Sequence, residues 1–153
     1  MTVATQQQLS VRRMQASDLA DVVRIEAMVH DYPWTRGNFA DSMQAGHDCW
    51  TYTEQYNIVG YAVLMMVLDE AHLLNISIAK EYQAAGRGYA LLQHLMQLAK
   101  QAGAANMFLE VRQSNLPAIR LYERTGFNEM GIRRNYYPAR TGREDAILMG
   151  MAL

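Results

Sequence analysis

The six residues from Gln83 to Gly88, QAAGRG, have the composition of an anion-binding loop. They stand between a predicted strand and the start of a predicted long helix. Gly86 and Gly88 let the backbone approach a ligand closely, and a helix N-terminus offers unpaired N–H groups and the positive end of the helix dipole. Together these features predict a pyrophosphate site. An isolated Gly-x-Gly is equally typical of an ordinary strand-to-helix turn, so other segments must support the hypothesis.

Two kinds of cofactor compete for this loop. A Rossmann dinucleotide site has the pattern Gly-x-Gly-x-x-Gly with an acidic residue about 20 positions further on, and Glu110 stands near that distance. The third glycine position is Leu91, however. A Rossmann domain also normally begins with this unit, whereas two helices and several antiparallel strands are predicted before it. A nicotinamide cofactor is therefore the weaker alternative.

Polar residues in and after the next predicted strand have ordinary structural explanations when taken alone. Glu110 alternates with the apolar Leu109 and Val111, which is typical of the exposed side of a strand. Tyr122 would usually be a core residue with its hydroxyl at the edge, and Asn115 is most simply a helix N-cap. The four histidines have no metal-ligand spacing such as HExxH, so we expect no metal site.

The periodicity of the chain predicts the elements that position these residues. Their order is β-α-α-β-β-β-α-β-α-β-β, an α/β fold with a mixed sheet of about seven strands and about four helices, in one domain over residues 1–153. The predicted strands cover residues 9–14, 49–55, 58–68, 72–79, 107–111, 127–136 and 145–152. Ser17, Thr35 and Asn115 are predicted helix N-caps. Ligands of such sheets bind beyond the carboxyl ends of strands, here near Ile78 and Glu110.

Composition excludes several classes of protein. The length of 153 residues fits one domain, and a net charge of −1 lacks the basic excess of nonspecific nucleic-acid binding. The single Cys49 cannot form an internal disulfide and is expected to be a half-buried strand residue rather than a nucleophile. The first residues lack the pattern of a secretory signal, and no apolar run approaches the ~20 residues that span a bilayer. We therefore expect a cytoplasmic protein.

The loop from Gln83 to Gly88 resembles the Gln/Arg-x-x-Gly-x-Gly/Ala pattern of the GNAT N-acetyltransferases at each specified position. The segment LEVRQSNLPAIRLYERTGF, residues 109–127, resembles the second half of their acetyl-coenzyme A (acetyl-CoA) site. The segments YPW (32–34), LDEA (68–71), RRNYYP (133–138) and REDA (143–146) resemble the RimI branch, which acetylates the N-terminal alanine of the eighteenth small-subunit ribosomal protein. The chain departs from many relatives at Ala84 and Ala85, where larger polar or basic residues are common.

This resemblance implies direct acetyl transfer from acetyl-CoA to an amine, without a covalent acyl-enzyme. Glu110 would be the general base for the amine, and Tyr122 the general acid that protonates the departing thiolate. The cofactor would be bound by Ile76, Ser77, Ile78, Gln83, Ala84, Ala85, Gly86, Arg87, Gly88, Tyr89 and Asn115. Backbone amides of the loop would provide most of the phosphate contacts, so we expect Ala84 and Ala85 to preserve the site.

One local basic cluster, formed by Arg133, Arg134, Arg140 and Arg143, is interleaved with tyrosines. It could be a solvated turn, a weak RNA contact or the rim of a peptide channel. The resemblance favours the peptide channel, in which Tyr136 and Tyr137 orient the acceptor and Tyr32 and Trp34 form the opposite wall.

The sequence therefore predicts an acetyl-CoA-dependent N-α-acetyltransferase that modifies the N-terminal alanine of a small-subunit ribosomal protein. No nucleic-acid or membrane partner is expected. One alternative is an acetyltransferase for another amine, such as another protein N-terminus, a lysine or a polyamine. A second alternative is a CoA-binding module without catalytic activity.

Overall fold

The structure, a computed structural model, describes residues 9–153 and has the predicted α/β element order. The strands are β1 Ser10–Arg13, β2 Asp48–Glu54, β3 Asn57–Val67, β4 Glu70–Ile78, β5 Asn106–Arg112, β6 Asn128–Pro138 and β7 Arg143–Ala152. The helices are α1 Leu19–Val29, α2 Arg36–Gln44, α3 Arg87–Gln101 and α4 Leu116–Thr125, with short 3-10 turns at Ala16–Asp18 and Lys80–Tyr82. The predictions for the N-terminal segment, including the absence of a signal sequence, concern in part residues 1–8, which lie outside the described residues.

The seven strands form one sheet in the order β1-β2-β3-β4-β5-β7-β6, and only β4 and β5 are parallel. These two strands pair from Glu70↔Asn106 to Leu73↔Leu109 and no further. A register shift opposite Val63 and Leu64 leaves Leu74 as an extra residue of β4. Such a bulge bends a strand. Beyond it β4 continues along β3 while β5 continues along β7, so the sheet opens between β4 and β5.

Both faces of the central part of the sheet are covered by helices. Ala62 and Leu64 of β3 belong to the core cluster that includes residues of α3 and α4, whereas Tyr61 and Val63 pack with residues of α1 and α2. A strand covered on both faces consists almost entirely of apolar residues, which explains the sequence YAVLMMV at residues 61–67 of β3.

The prediction that Ser17 caps the first helix is wrong. Ser17 lies inside the 3-10 turn Ala16–Asp18 that precedes α1. Asp18 stands at the N-cap position of α1 without a side-chain cap hydrogen bond there. Its Oδ2 instead accepts a hydrogen bond at 2.7 Å from the backbone N–H of Gln15, the N-cap of the 3-10 turn. Asp18 is also held by two 2.8 Å hydrogen bonds from the Arg12 guanidinium. This pairing lowers the pKa of the Asp18 carboxyl, chiefly through the hydrogen bonds with Arg12.

The other two predicted caps are confirmed. Thr35 Oγ1 accepts from the Asn38 backbone N–H at 3.2 Å, and Asn115 Oδ1 accepts from the Ala118 backbone N–H at 3.3 Å. The two hairpin turns fall one residue earlier than predicted: the first is at residues 55–56 and the second at 68–69. The strands after these turns accordingly begin earlier, at Asn57 and Glu70.

We expect Gly60→Ala to destabilise the fold and weaken cofactor binding together. A Cβ at Gly60 would lie 2.7 Å from Ile78 Cδ1 and 2.8 Å from the backbone oxygen of Ser77, so β3 and β4 would have to move apart. Overpacking of this kind costs about 1 to 3 kcal/mol. Thermal unfolding and acetyl-CoA titration measure the two effects. Gly131→Ala is the control, because its Cβ would meet only Leu148 at 3.7 Å. Equal behaviour of the two variants would contradict this prediction.

Candidate active site

The free edge of β4 beyond the bulge is the first part of the site. On one side, residues Ile76, Ser77 and Ile78 pair with β3. On the other side they have no strand partner among residues 9–153, because β5 has turned away. A strand edge presents a row of unpaired N–H and C=O groups that can bind an extended chain containing amides. The pantetheine arm of CoA is a chain of this kind.

The loop from Gln83 to Gly88 begins close to this edge. Gln83 Nε2 donates a 2.9 Å hydrogen bond to the backbone oxygen of Ile78. Gly86 occupies the N-cap position of α3 with φ +83°, which favours glycine, and Ala84 has φ +65°. The first turn of α3 leaves N–H groups without an intrahelical partner, and such groups at a helix start bind phosphates.

The Arg87 side chain serves the loop and not a ligand in this structure. Its guanidinium donates to both carboxylate oxygens of Glu54, at 2.6 and 3.0 Å, and to the backbone oxygen of Tyr82 at 3.2 Å. The pairing lowers the pKa of the Glu54 carboxyl, chiefly through these hydrogen bonds. Arg87 therefore anchors the start of α3 to β2, and a phosphate would contact its backbone N–H.

Residues of α3 and α4 meet where Gly88 lies. A Cβ at Gly88 would lie 3.5 Å from Leu121 Cδ2, an ordinary van der Waals distance, so α4 packs next to the start of α3. The next residue of α4, Tyr122, is buried and packs its ring edge-to-face on Phe127 at 5.7 Å. Burial, with a smaller contribution from Tyr137, raises the pKa of the Tyr122 phenol. The phenol therefore keeps its proton through the physiological pH range, as a proton donor requires. Tyr89 is 39% exposed and lines a surface cavity together with Ala85, Gly86 and Arg87.

A cavity of about 710 Å³ lies on the other side of the β4–β5 opening. Trp34, Glu110, Tyr136 and Tyr137 all line it, so the structure brings together four of the predicted site residues. Tyr136 and Tyr137 contact each other edge-to-face with ring centroids 4.9 Å apart. The cavity has the size and aromatic lining of a site for a few residues of peptide.

Glu110 lies at the junction of this cavity and the opening. It is the first residue of β5 beyond the last pair with β4, and its side chain is 30% exposed. Arg133 Nε lies 3.4 Å from Glu110 Oε1. The carboxylate also raises the pKa of Tyr136, through hydrogen bonding first and charge second. It is thus accessible from the acceptor cavity and next to the cofactor edge, as a general base must be.

Arg112 connects Tyr137 of the cavity wall to Tyr32 of the loop before α2, a contact that the sequence does not predict. Its guanidinium lies 4.4 Å from the ring centroid of Tyr32 and 4.4 Å from that of Tyr137. Arg112 Nη1 also donates to the backbone oxygen of Pro138 at 2.7 Å and to Glu144 Oε1 at 2.9 Å. Tyr32 is not among the lining residues, so its contact with the cavity wall is indirect, through Arg112 and Tyr137. The signal in the sequence that could have indicated Arg112 is its spacing from Glu110. It stands two residues later in β5 and therefore on the same side of the strand.

We expect Arg112→Lys to raise the KM for the acceptor by roughly three- to tenfold while the fold is kept. A lysine cannot stack on two rings and donate in two directions, because its ammonium lacks the planar guanidinium. Steady-state kinetics with the acceptor varied measures this effect. Arg24→Lys, at an exposed position of α1, is the matched control. An Arg112→Lys variant with the acceptor KM of the Arg24→Lys control would contradict the role of Arg112.

Other features of the described residues bear on the chemistry. Cys49 is buried, more deeply than predicted, and burial raises the pKa of its thiol to about 11, with a further contribution from Asp48. It is therefore a thiol at neutral pH and a poor nucleophile. No cluster of three or more His, Cys, Asp or Glu in residues 9–153 is placed to hold a metal ion. Within the same residues, no helix has the length and apolar character to cross a membrane.

The chain resembles known acetyltransferases in sequence and structure. A model of the acetyltransferase (GNAT) family matches residues 15–127. The ribosomal protein bS18-alanine N-acetyltransferase of Escherichia coli K12 is 41% identical over 144 residues, covering 94% of this chain and 97% of that protein. A crystal structure of the ribosomal-protein-S18-alanine N-acetyltransferase from Escherichia coli matches with a TM-score of 0.88 and 41% identity, covering 95% of this chain and 94% of that chain.

A third similarity extends only to the fold. An acetyltransferase from Bacillus subtilis, solved in complex with CoA, has a TM-score of 0.77 and 18% identity, and covers 95% of this chain and 99% of that chain.

Proposed function

Because this chain belongs to the acetyltransferase (GNAT) family, we propose that it transfers the acetyl group of acetyl-CoA to the α-amine of an N-terminal alanine. The proposed acceptor is ribosomal protein bS18, the acceptor that its Escherichia coli relative is named for. A ribosomal acceptor supports the further proposal that the reaction is cytoplasmic. The observation that carries the proposal is the position of Glu110, which faces the aromatic acceptor cavity and borders the free edge of β4.

In the proposed reaction the amine attacks the thioester carbon directly. Glu110 first takes one proton from the ammonium, which leaves the neutral amine as the nucleophile. An N–C bond then forms, the C–S bond breaks, and the nitrogen releases its second proton, which replaces the one that Tyr122 gives to the sulfur. An α-amino group has a pKa of about 7.7–8.0, so a carboxylate of ordinary basicity, acting directly or through a water, is sufficient. Tyr122 gives its phenolic proton to the departing sulfur. The raised pKa of Tyr122 supports this role because the phenol is fully protonated before the reaction.

The cofactor contacts in this proposal come mainly from the backbone. The free edge of Ile76–Ile78 would pair with the pantetheine arm, and the N–H groups from Ala84 to Gly88 would bind the pyrophosphate. The Asn115 side-chain oxygen caps α4, which leaves its amide nitrogen to donate to the cofactor. Ala84 and Ala85 lack polar side chains, and backbone binding does not need them.

The test uses purified protein, acetyl-CoA and a short peptide that begins with alanine and carries one internal lysine. Fragmentation mass spectrometry locates the added acetyl group. We expect modification of the α-amine and no modification when that amine is blocked in advance. Acetylation of the lysine instead would keep the family and reject the acceptor class. Binding of acetyl-CoA without transfer to any amine would reject the catalytic proposal.

A further inference from the structure

A buried carboxylate, Glu26, lies outside the set of residues that the proposed reaction uses. It is on α1 and only 2% exposed. Its Oε1 accepts from the Tyr61 hydroxyl at 2.8 Å and from Asn75 Nδ2 at 3.0 Å, and its Oε2 accepts from the Trp34 backbone N–H at 3.0 Å. In the sequence it stands at an apolar position of the helical periodicity, which is where a charged residue needs an explanation.

The hydrogen bonds continue from Asn75 to the cofactor edge. Asn75 Oδ1 accepts from the Ser77 hydroxyl at 2.9 Å, and Ser77 Oγ lies 2.7 Å from His30 Nε2. Since Ser77 has one hydroxyl hydrogen and donates it to Asn75, His30 Nε2 must be the donor to Ser77. The network therefore runs in one direction, from His30 through Ser77 and Asn75 to Glu26.

Glu26 has hydrogen-bond partners in both halves of the candidate active site, Trp34 in one and Asn75 in the other. Trp34 lines the acceptor cavity, and Asn75 and Ser77 belong to β4 beyond its bulge, where the strand edge is free. Glu26 reaches Trp34 and Asn75 from α1, which packs on one face of the sheet, whereas α3 packs on the other. The Trp34 loop joins α1 to α2, and its other contacts are the Arg112–Tyr32 stacking and the packing of Trp34 on Phe39 with ring centroids 5.1 Å apart.

We propose that Glu26 is a positioning residue. It fixes the position of the Trp34 loop, which lines the acceptor cavity, relative to the free edge of β4. It acts on the reaction through these two segments and touches neither substrate. The inference rests on the proposed function for its kinetic effect, whereas its structural effect on the Trp34 loop can be measured in the free protein.

The test variant is Glu26→Gln. Its amide oxygen can still accept from Tyr61 and Asn75, but its NH₂ group would face the Trp34 N–H, so that hydrogen bond is lost. We expect the KM for an alanine-initiated peptide to rise roughly tenfold, the effect of losing one charge-assisted hydrogen bond that holds a binding loop. The kcat of the folded variant should stay within a few fold of wild type. Exchange of the Trp34 amide hydrogen, followed by NMR, should become faster.

Asp21→Asn is the matched control, because it makes the same chemical change at an exposed position of the same helix. A lower melting temperature of Glu26→Gln, with a peptide KM and a Trp34 amide exchange rate equal to those of Asp21→Asn, would show that Glu26 is merely structural. That result would overturn the proposal. If the wild-type protein does not acetylate the peptide, the proposed function fails while the Trp34 exchange measurement still decides the structural part of the inference.

Two further variants distinguish the connection to Trp34 from the connection through Asn75 to Ser77. They also provide the test if Glu26→Gln does not fold. Asn75→Ala leaves the Trp34 hydrogen bond in place and removes the connection to Ser77, so it should weaken acetyl-CoA binding several-fold with unchanged Trp34 exchange. Tyr61→Phe removes a hydrogen bond from the same carboxylate but keeps its bonds with Trp34 and Asn75, so it should lower only the melting temperature. Acetyl-CoA affinity in Asn75→Ala equal to that in Tyr61→Phe would overturn the coupling to the cofactor edge.

Discussion

Glu110→Gln is expected to lower kcat by roughly 10²- to 10⁴-fold, the usual contribution of a general base. Glutamine has the same shape but cannot take a proton from the acceptor ammonium. The variant should then depend on amine that is already neutral, so its remaining rate should rise with pH up to about 8, the pKa range of an α-amino group. Steady-state kinetics with the alanine-initiated peptide across this pH range measures both effects.

Acetyl-CoA affinity is the internal control for Glu110→Gln, since the cofactor contacts in the proposal come from β4 and the loop before α3. Glu129→Gln changes an exposed carboxylate on β6, which β7 separates from β5, and this matched variant should keep wild-type turnover. Near wild-type turnover of Glu110→Gln would remove this residue from the reaction. A loss of acetyl-CoA binding as large as the loss of rate would mean that Glu110 supports the cofactor site instead.

Tyr122→Phe is expected to slow turnover by roughly ten- to a hundredfold, less than the loss at Glu110. A thiol has a pKa of about 8.5, so the thiolate leaves more readily than most groups without a proton donor. The phenylalanine keeps the edge-to-face contact with Phe127, so the melting temperature should change little. Because burial raises the pKa of Tyr122, wild-type activity should not decline below about pH 10 through loss of this proton.

Tyr56→Phe is the matched control for Tyr122→Phe, because its hydroxyl is fully exposed on the β2–β3 turn. An unchanged rate in Tyr122→Phe would show that water or another group protonates the thiolate. A decline of wild-type activity well below pH 10, absent in Tyr122→Phe, would contradict the raised pKa of this phenol.

The order of elements and most of the site follow from the sequence. Periodicity of 2 or 3.6 residues, the caps Thr35 and Asn115, and glycines that end helices depend on contacts within a few residues, which a linear pattern records. The same holds for the loop before α3, where the φ of Gly86 and the free N–H groups of a helix start are local properties. The prediction for Ser17 failed because the chain enters α1 through a 3-10 turn, which Asp18 holds by accepting hydrogen bonds from the Gln15 backbone N–H and from Arg12 of β1.

The sequence by itself determined which residue types stand at each strand end and helix start. Only the tertiary structure decided where β4 and β5 separate, because the bulge at Leu74 is a matter of register between strands and leaves no local pattern. It also decided the partners of Glu26, since Asn75 stands 49 residues away in the sequence, and the stacking of Arg112 between Tyr32 and Tyr137. The physical reason is that a buried charge needs partners, but which groups reach it depends on how the helices and the sheet pack.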